Sequence, residues 1–360
     1  MSIDCTSAYR APRWLRNPHV QTLLGSSGVR VMRGARELRR LGAVHEEHLV
    51  DAGSGIRLHG VHSTLPGRAP QGLALLLHGW EGSAESGYMR LTCARLMERG
   101  FDVFRLNFRD HGDTHHLNED LFHSNRLDEV LQAALTVSRR WASAPMQPMV
   151  LAGYSLGGNF ALRVALHAPR VGLDLARVAA VCPALDPDRT TTAMEQGLSF
   201  YERYFLRKWT RSLRRKQALF PQQHAIAEEQ LRSRRLRGLT AWLVARHTEF
   251  ADVDAYFDGY RISGDRMAAL QVPADILTSA DDPVIPVDDF EGWQLPANAR
   301  VEIAAHGGHC AFLHDASLRG YAEDWIARRL STVLEPASVQ NPENSSGEPA
   351  SGERAPRAPA

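Results

Sequence analysis

Short apolar runs alternate with amphipathic segments along most of the chain, and this alternation predicts the order of strands and helices. The runs at residues 72–77 and 178–182 are continuously apolar, as is typical of strands buried on both faces. Residues 88–99 and 121–141 place apolar side chains at helical spacing instead. Further strands are predicted at residues 46–50, 56–63, 101–107, 148–152, 274–278 and 301–304, and a closing helix at 318–334. The first two strands of that series resemble an antiparallel edge hairpin. The remaining alternation favours a mostly parallel, doubly wound α/β sheet, with its site at the carboxyl ends of the strands.

The strand pattern stops between about residues 185 and 264, where the sequence is helical in character. An insertion at this point of the chain is expected to cover the site as a helical lid. This segment carries an aromatic stripe at helical spacing, formed by Phe200, Tyr201, Tyr204, Phe205 and Trp209. Such a stripe more often belongs to a helix core than to an acyl-chain groove. The basic residues occupy other faces of the segment, which are usually solvated; peripheral contact with an anionic lipid surface is the alternative.

The two ends of the chain differ in composition from its middle. Residues 1–40 are polar and rich in arginine, and we expect this leader to pack on the domain that spans residues 41–335. Residues 336–360 consist largely of small, polar and charged residues with proline, which cannot bury a core, so disorder is predicted for this tail.

Composition narrows the function classes. The 360 residues carry a net charge of +1, which argues against nucleic acid as a partner. Neither a signal peptide nor an apolar run of the roughly 18 residues needed for a membrane helix is visible. The four cysteines are scattered without metal-ligand spacing, which suggests unpaired thiols and a cytoplasmic protein. They are Cys5, Cys93, Cys182 and Cys310. The oligomeric state is left open.

A Gly-x-Ser-x-Gly segment at residues 153–157 lies between a predicted strand and a helical pattern at 160–167. A strand that turns sharply into a helix around a serine is a nucleophile elbow. Glycines at both ends of the segment allow the close backbone approach that such a turn requires. Ser155 is therefore the candidate nucleophile, and the backbone N–H of Leu156 is a candidate oxyanion donor.

A serine hydroxyl needs a base, and the base needs a carboxylate that orients it. Both candidates follow predicted strands after the lid: Asp281-Asp282-Pro283, and then Gly307-Gly308-His309. We prefer Asp282 to Asp281 because it directly precedes the proline and heads an Asp-x-x-x-Pro turn. The chain order of serine, acid and histidine is the one that elbow hydrolases use.

The second oxyanion donor is expected just after the strand at residues 72–77, where His78-Gly79-Trp80 follows directly. The backbone N–H of Trp80 would supply it. The Trp80 side chain is then expected to line the substrate pocket, since the donor on the same residue must face the substrate.

Residues 14–334 resemble the α/β-hydrolase superfamily, and more narrowly its YheT-like branch, which is related to eukaryotic abhydrolase-domain proteins. The resemblance lies in five segments: Asn17-Pro18-His19-Val20-Gln21-Thr22, His78-Gly79-Trp80-Glu81-Gly82-Ser83, Gly153-Tyr154-Ser155-Leu156-Gly157-Gly158-Asn159, Asp281-Asp282-Pro283 and Gly307-Gly308-His309. It implies a serine esterase with Ser155 as nucleophile, His309 as base and Asp282 as orienting acid.

The chain departs from that pattern at two places. Trp80 stands where the family usually has leucine, and Asp110-His111 stands where it tends to have Gly-Cys. The loop that follows is rich in possible zinc ligands, although a hydrogen-bonded loop at the rim of the site is the alternative we favour. Those residues are His111, Asp113, His115, His116 and His123. No metal or cofactor is expected, because serine chemistry needs none.

The sequence thus predicts a serine hydrolase that cleaves carboxylic esters, with a medium-chain acyl or lipid group, through an acyl-enzyme. A thioesterase, amidase or acyltransferase would use the same residues. A non-catalytic ligand-binding or lipid-binding protein on the same scaffold is the alternative from another class.

Overall fold

The computed structural model describes residues 7–142 and 147–335. In these ranges eight strands form one sheet in the order β1-β2-β4-β3-β5-β6-β7-β8. The strands are β1 Val44–Asp51, β2 Arg57–Thr64, β3 Gly72–Leu77, β4 Phe101–Leu106, β5 Met149–Tyr154, β6 Arg177–Val181, β7 Ala274–Ser279 and β8 Ala299–Ala304. Strands β3 to β8 run parallel, and the hairpin β1-β2 joins β4 in antiparallel pairing. The expected mostly parallel sheet is confirmed. The predicted tail at 336–360 lies outside the described residues, as does Cys5.

Helices connect and cover the strands. They are α1 Pro18–Gly25, α2 Gly28–Arg40, α3 Gly87–Glu98, α4 Leu127–Trp141, α5 Leu156–Val171, α6 Pro187–Gln196, α7 Ser199–Leu219, α8 Glu228–Leu231, α9 Leu236–His247, α10 Val253–Asp258 and α11 Tyr321–Ser331. Short 3-10 turns add Arg13–Leu15, Val287–Phe290 and Thr332–Leu334. Among the helices of the described ranges, none combines the length and the apolar composition that crossing a bilayer requires.

The central strand β3 shows why the sequence reads as a continuous apolar run. Successive side chains of a strand point to opposite faces of the sheet. Leu73, Leu75 and Leu77 pack into the core that contains residues of α4 and α5, whereas Ala74 and Leu76 pack into the core beneath α3 and α11. Both faces are covered by helices, so every position of β3 is buried.

The helix expected from residue 121 begins six residues later, at Leu127. The preceding backbone forms hydrogen bonds to side chains instead of continuing a helix. The Phe122 N–H donates to Asp110 Oδ2 at 2.9 Å, the Ser124 N–H donates to the Tyr256 hydroxyl at 3.0 Å, and Arg126 donates to the Leu121 carbonyl at 2.8 Å. These tertiary contacts outweigh the local helical pattern and leave Phe122 and Ser124 in the wall of a pocket.

The leader forms helices α1 and α2. Asn17 caps α1 by accepting the N–H groups of His19 and Val20, and Pro18 occupies the first helical position. In α2, the fully buried Arg30 forms an ion pair with Glu323 of α11. Because breaking a buried pair leaves an uncompensated charge, this contact ties the leader to the domain.

Helices α6 to α10 lie between β6 and β7, in the segment where the sequence predicts an insertion. Lys216 of α7 reaches out of this segment, and its side chain is fully buried. The Lys216 ammonium donates to Asp110 Oδ1 at 2.7 Å, to the Asn118 carbonyl at 2.5 Å and to the His115 carbonyl at 3.3 Å. These three bonds anchor α7 to the loop after β4, which carries Asp110. We call this cluster the lid tether.

Candidate active site

Ser155 lies at the turn between β5 and α5 with φ +53°, in the left-handed region that a serine rarely adopts. The Ser155 N–H donates to the Val181 carbonyl of β6 at 2.8 Å, which fixes the turn. A Cβ atom at Gly153 would overlap the Gly157 carbonyl, and one at Gly157 would overlap the carbonyls of Leu77 and His78. The strained turn therefore depends on both glycines, and it directs the serine into the space at the carboxyl ends of the strands.

Ser155, His309 and Asp282 form one hydrogen-bonded line. The Ser155 hydroxyl lies 2.9 Å from Nε2 of His309, and Nδ1 of the same ring lies 2.9 Å from Oδ2 of Asp282. The Asp282 side chain is fully buried, and its Oδ1 accepts the N–H groups of Val284 and Ile285 at 2.8 and 3.0 Å. An imidazole held in this way can take the proton of the serine hydroxyl.

The neighbouring carboxylate, Asp281, has different partners. Its Oδ1 accepts the N–H groups of Gly307 and Gly308 at 2.9 and 3.0 Å, and its Oδ2 lies 3.2 Å from Nδ1 of His306. Asp281 therefore shapes the loop before His309, whereas Asp282 contacts the His309 ring. The two neighbouring aspartates, of which the sequence favours Asp282 as the orienting acid, thus contact different partners.

The surroundings of His309 favour its protonated form. Burial alone would lower the pKa of His309, but the charge of Asp282 and the adjacent Cys310 sulfur outweigh burial and raise the pKa well above the ordinary 6.5. Burial acts in the opposite direction on the Cys310 thiol and would raise its pKa, but the hydrogen bond with Cys182 and the charge of His309 reverse that effect and lower the pKa to about 6. The distance from Cys310 Sγ to Nε2 of His309 is 3.8 Å. Proton position at this histidine is thus coupled to a thiol.

The segment after β3 approaches Ser155 from the other side. His78 is fully buried, and its Nε2 accepts the Phe108 N–H at 3.2 Å while Nδ1 contacts the Gly79 carbonyl at 2.8 Å. Burial lowers the pKa of His78 well below 6.5, which matches a neutral ring in this role. His78 therefore holds the segment that carries Trp80. The N–H of Leu156, at the first turn of α5, has no partner within the helix.

Two cavities meet at Ser155 and Trp80. The narrower, of about 90 Å³, extends under the lid and is mostly apolar. The Trp80 ring stacks on Phe205 at 5.1 Å between ring centroids and meets the edge of Trp209 at 5.4 Å. These rings wall the narrow pocket, which continues to Met194, Leu243 and Tyr260. Phe205 and Trp209 of the aromatic stripe therefore border the same pocket as Ser155.

The second cavity, of about 480 Å³, forms a wider cleft between the leader and the start of α7. Phe200, Tyr201 and Tyr204 line it, together with Glu81, Lys208 and other residues. Burial raises the pKa of Glu81 to about 7, although the charge of Lys208 opposes this shift. The narrow pocket and the wide cleft both border the Ser155 hydroxyl and differ mainly in size, at about 90 and 480 Å³.

Comparison with known proteins decides the family. The model of the alpha/beta hydrolase family matches residues 74–323, more than half of the chain. The chain belongs to the alpha/beta hydrolase family. The expected membership of the α/β-hydrolase superfamily is therefore confirmed, while the narrower YheT-like branch stays a prediction.

Two relatives of this hydrolase are similar over most of their length. The chain is 23% identical to a proposed esterase of Synechocystis sp., over 91% of this chain and 95% of the relative. It is 30% identical to the pimeloyl-[acyl-carrier protein] methyl ester esterase of Stenotrophomonas maltophilia, over 77% of this chain and 98% of that protein. Among solved structures, an esterase of Pyrobaculum calidifontis superposes with a TM-score of 0.53 at 16% identity, covering 90% of this chain and 99% of that one. An esterase of Pyrococcus furiosus superposes with a TM-score of 0.54 at 13% identity, covering 82% and 92%.

The histidine-rich loop that departs from the family pattern is hydrogen-bonded to its surroundings. His111 Nδ1 lies 2.7 Å from the Arg109 carbonyl, His115 Nε2 lies 2.7 Å from the Ser212 hydroxyl, and Asp113 pairs with Arg215 at 2.6 Å. Within the described ranges, these side chains do not form a group of three with the spacing of metal ligands. Asp110 instead receives the lid tether from Lys216.

Sequence reasoning missed two contacts of His309. In the first, the His309 N–H donates to the Thr22 hydroxyl of α1 at 2.9 Å. The lid contacts the same helix, since the Tyr201 hydroxyl lies 2.8 Å from Nδ1 of His19. The leader was expected only to pack on the domain. No local signal links Thr22 to a loop 287 positions later in the chain. The other missed contact is the approach of Cys182 and Cys310 to the His309 ring.

Proposed function

We propose that this hydrolase cleaves carboxylic esters with Ser155 as nucleophile, His309 as general base and Asp282 as orienting acid. The observation that carries the proposal is the continuous line from the serine hydroxyl through both ring nitrogens of His309 to the buried Asp282 carboxylate. The esterase names of both curated relatives support the same reaction class.

In the proposed reaction, the Ser155 oxygen attacks the ester carbonyl while Nε2 of His309 takes the hydroxyl proton. The N–H groups of Trp80 and Leu156 hold the negative charge on the carbonyl oxygen, at roughly 3 kcal/mol of transition-state stabilisation per donor. His309 then passes its proton to the leaving alcohol, which departs and leaves an acyl-enzyme. Water deacylates the enzyme with His309 again as base.

The two cavities suggest how the substrate lies. The narrow pocket, walled by Trp80, Phe205 and Trp209, fits an unbranched acyl chain, while the wide cleft leaves room for the alcohol. Each methylene that the pocket buries contributes about 0.8 kcal/mol. We therefore assign medium-chain acyl esters as the substrate class, with kcat/KM rising from acetyl to medium chains and falling when the chain outgrows the pocket.

Contact with a lipid surface stays a prediction. Leu23, Phe200 and Tyr204 line the wide cleft and are also exposed at 48%, 46% and 38%, which would suit an apolar surface at its mouth. Cosedimentation of the full chain with anionic and neutral vesicles measures this contact.

The test uses a fluorophosphonate reagent together with a panel of p-nitrophenyl esters, a thioester and an amide of matched chain length. We expect labelling and hydrolysis that Ser155→Ala abolishes, with a fall in kcat of about 10⁴-fold or more. The matched control Ser331→Ala removes a serine on α11 and should change neither. If the folded protein neither reacts with the reagent nor hydrolyses the panel, a ligand-binding function is favoured. If it prefers the thioester or the amide, the reaction class is that of a thioesterase or an amidase instead.

A further inference from the structure

Two cysteines from distant parts of the chain lie against His309. Cys182 directly follows β6 and is fully buried, whereas Cys310 follows His309 and lines the wide cleft. Both are free thiols. The proposed ester hydrolysis uses neither sulfur, so their position next to the base needs a separate explanation.

The geometry is that of a ligand cluster. The Sγ atoms of Cys182 and Cys310 and a ring nitrogen of His309 all lie within 4.8 Å of one another. Across residues 7–142 and 147–335, this is the one group of three such side chains at that spacing. The ring nitrogen nearest to Cys310 Sγ, at 3.8 Å, is Nε2, which also faces the Ser155 hydroxyl at 2.9 Å.

The donor types select the class of cation. Tetrahedral zinc sites use thiolates at about 2.3 Å and imidazole nitrogens at about 2.0–2.1 Å, so neighbouring ligand atoms lie roughly 3.5–3.8 Å apart. The three donors already approach those separations and need shifts of no more than about 1 Å. Two soft sulfurs favour Zn²⁺ or Cd²⁺ over Mg²⁺ or Ca²⁺, which take oxygen ligands. Because Cys310 lines the cleft, a cation can enter from there and complete its shell with water.

We propose that Cys182, Cys310 and His309 form a site for a thiophilic divalent cation, and that the bound cation reversibly inhibits the hydrolase. Binding releases the thiol protons to solvent and forms two metal–sulfur bonds and one metal–nitrogen bond. The lone pair of Nε2 that accepts the Ser155 proton is then held by the metal. Metal binding and proton transfer therefore exclude each other. The inhibition rests on the proposed function, whereas the binding does not.

Binding is tested first, without reference to activity. The full-length protein is titrated with Co²⁺ under a phosphine reductant, and sulfur-to-cobalt charge-transfer absorption is recorded. One equivalent should produce the band of a thiolate-ligated tetrahedral ion, and Cys182→Ser or Cys310→Ser should each reduce it. Cys93→Ser is the matched control and should leave the band unchanged, since Cys93 is as fully buried as Cys182 but lies in α3.

Inhibition is measured next with Zn²⁺ and reversed with a chelator, each variant being scored against its own metal-free rate. Cys182→Ser and Cys310→Ser should each raise the half-inhibitory Zn²⁺ concentration by about tenfold or more, as expected for a weakened coordination shell. Cys93→Ser should match the parent protein.

The two readouts separate the two proposals. Absence of thiolate absorption, or Zn²⁺ inhibition that is equal in the parent and both site variants, overturns the metal site. A thiolate–cobalt band in a protein without esterase activity leaves the metal site standing and overturns the proposed function instead.

Discussion

The lid tether provides a quantitative test of how the lid is held. Lys216→Met replaces the fully buried ammonium with an apolar side chain of similar length. The substitution removes three hydrogen bonds and leaves the Asp110 carboxylate, itself only 6% exposed, without its cation. Burial raises the pKa of Asp110 and lowers that of Lys216, while each charge opposes the shift of the other. Each charge is therefore tolerated in this position because the other is present.

The expected loss follows from that arrangement. Removing one partner of a buried ion pair costs about 3–5 kcal/mol, because the remaining charge is uncompensated. With an unfolding entropy of about 2.1 cal/mol/K per residue, a chain of 360 residues should lose roughly 4–7 °C in Tm. The double variant Asp110→Asn with Lys216→Met removes the stranded charge as well, and should recover a large part of the loss.

Thermal unfolding of the two single variants and the double variant closes a double-mutant cycle. The control is Lys208→Met on the same helix, because the chain has only these two lysines and Lys208 makes a partly buried hydrogen bond to the Glu81 carbonyl. It should cost about 1 kcal/mol, or 1–2 °C. A Tm change below 1 °C for Lys216→Met, or losses that simply add in the double variant, would refute the account of the tether.

Three further predictions concern His309. Asp282→Asn should lower kcat by about 10⁴-fold because the ring loses its orienting acceptor, whereas Asp281→Asn should mainly lower Tm; steady-state kinetics with the opposite pattern would move the acid to Asp281. Only neutral His309 can accept a proton, so the raised pKa should place the acidic limb of the kcat/KM profile above pH 6.5. Cys310→Ser should shift this limb to lower pH, and a limb that does not move contradicts the coupling between His309 and the Cys310 thiol. Thr22→Val leaves the His309 N–H without its acceptor and should lower the free energy of unfolding by about 1–3 kcal/mol in denaturant unfolding. A displaced His309 ring should also lower kcat with unchanged secondary structure; unchanged stability and kcat would make the contact incidental.

Much of the fold can be predicted from the sequence where burial and backbone geometry determine the residue types at neighbouring positions. The apolar run of β3 follows from burial on both faces, and the elbow follows from glycines that the backbone contacts of residues 153 and 157 require. The sequence also brings forward Ser155, Asp282 and His309, which the structure joins by hydrogen bonds. The start of α4 does not, because contacts with Asp110 and Tyr256 decide it from elsewhere in the chain.

The contacts that the sequence does not reveal join residues far apart in the chain. Lys216 is one of many basic residues in its segment, and nothing in its neighbourhood marks it as the buried one. Cys182 and Cys310 have no ligand spacing and meet only because β6 ends beside the loop that carries His309. Properties that depend on such long-range contacts, here lid attachment and the environment of the base, need three-dimensional information.

The contact between the leader and the His309 loop has a consequence for how relatives of this protein can diverge. A Cβ atom at residue 308 would lie 2.5 Å from the Pro18 carbonyl and 2.8 Å from the Thr22 hydroxyl, and Gly308 also has φ +55°. Substitutions in α1 and in the loop are therefore not independent. Chimeras that exchange only the segment matched by the family model, residues 74–323, would pair one protein's leader with another's histidine loop. Because of this packing, we expect the two segments to be inherited as a unit, and positions 22 and 308 to change together.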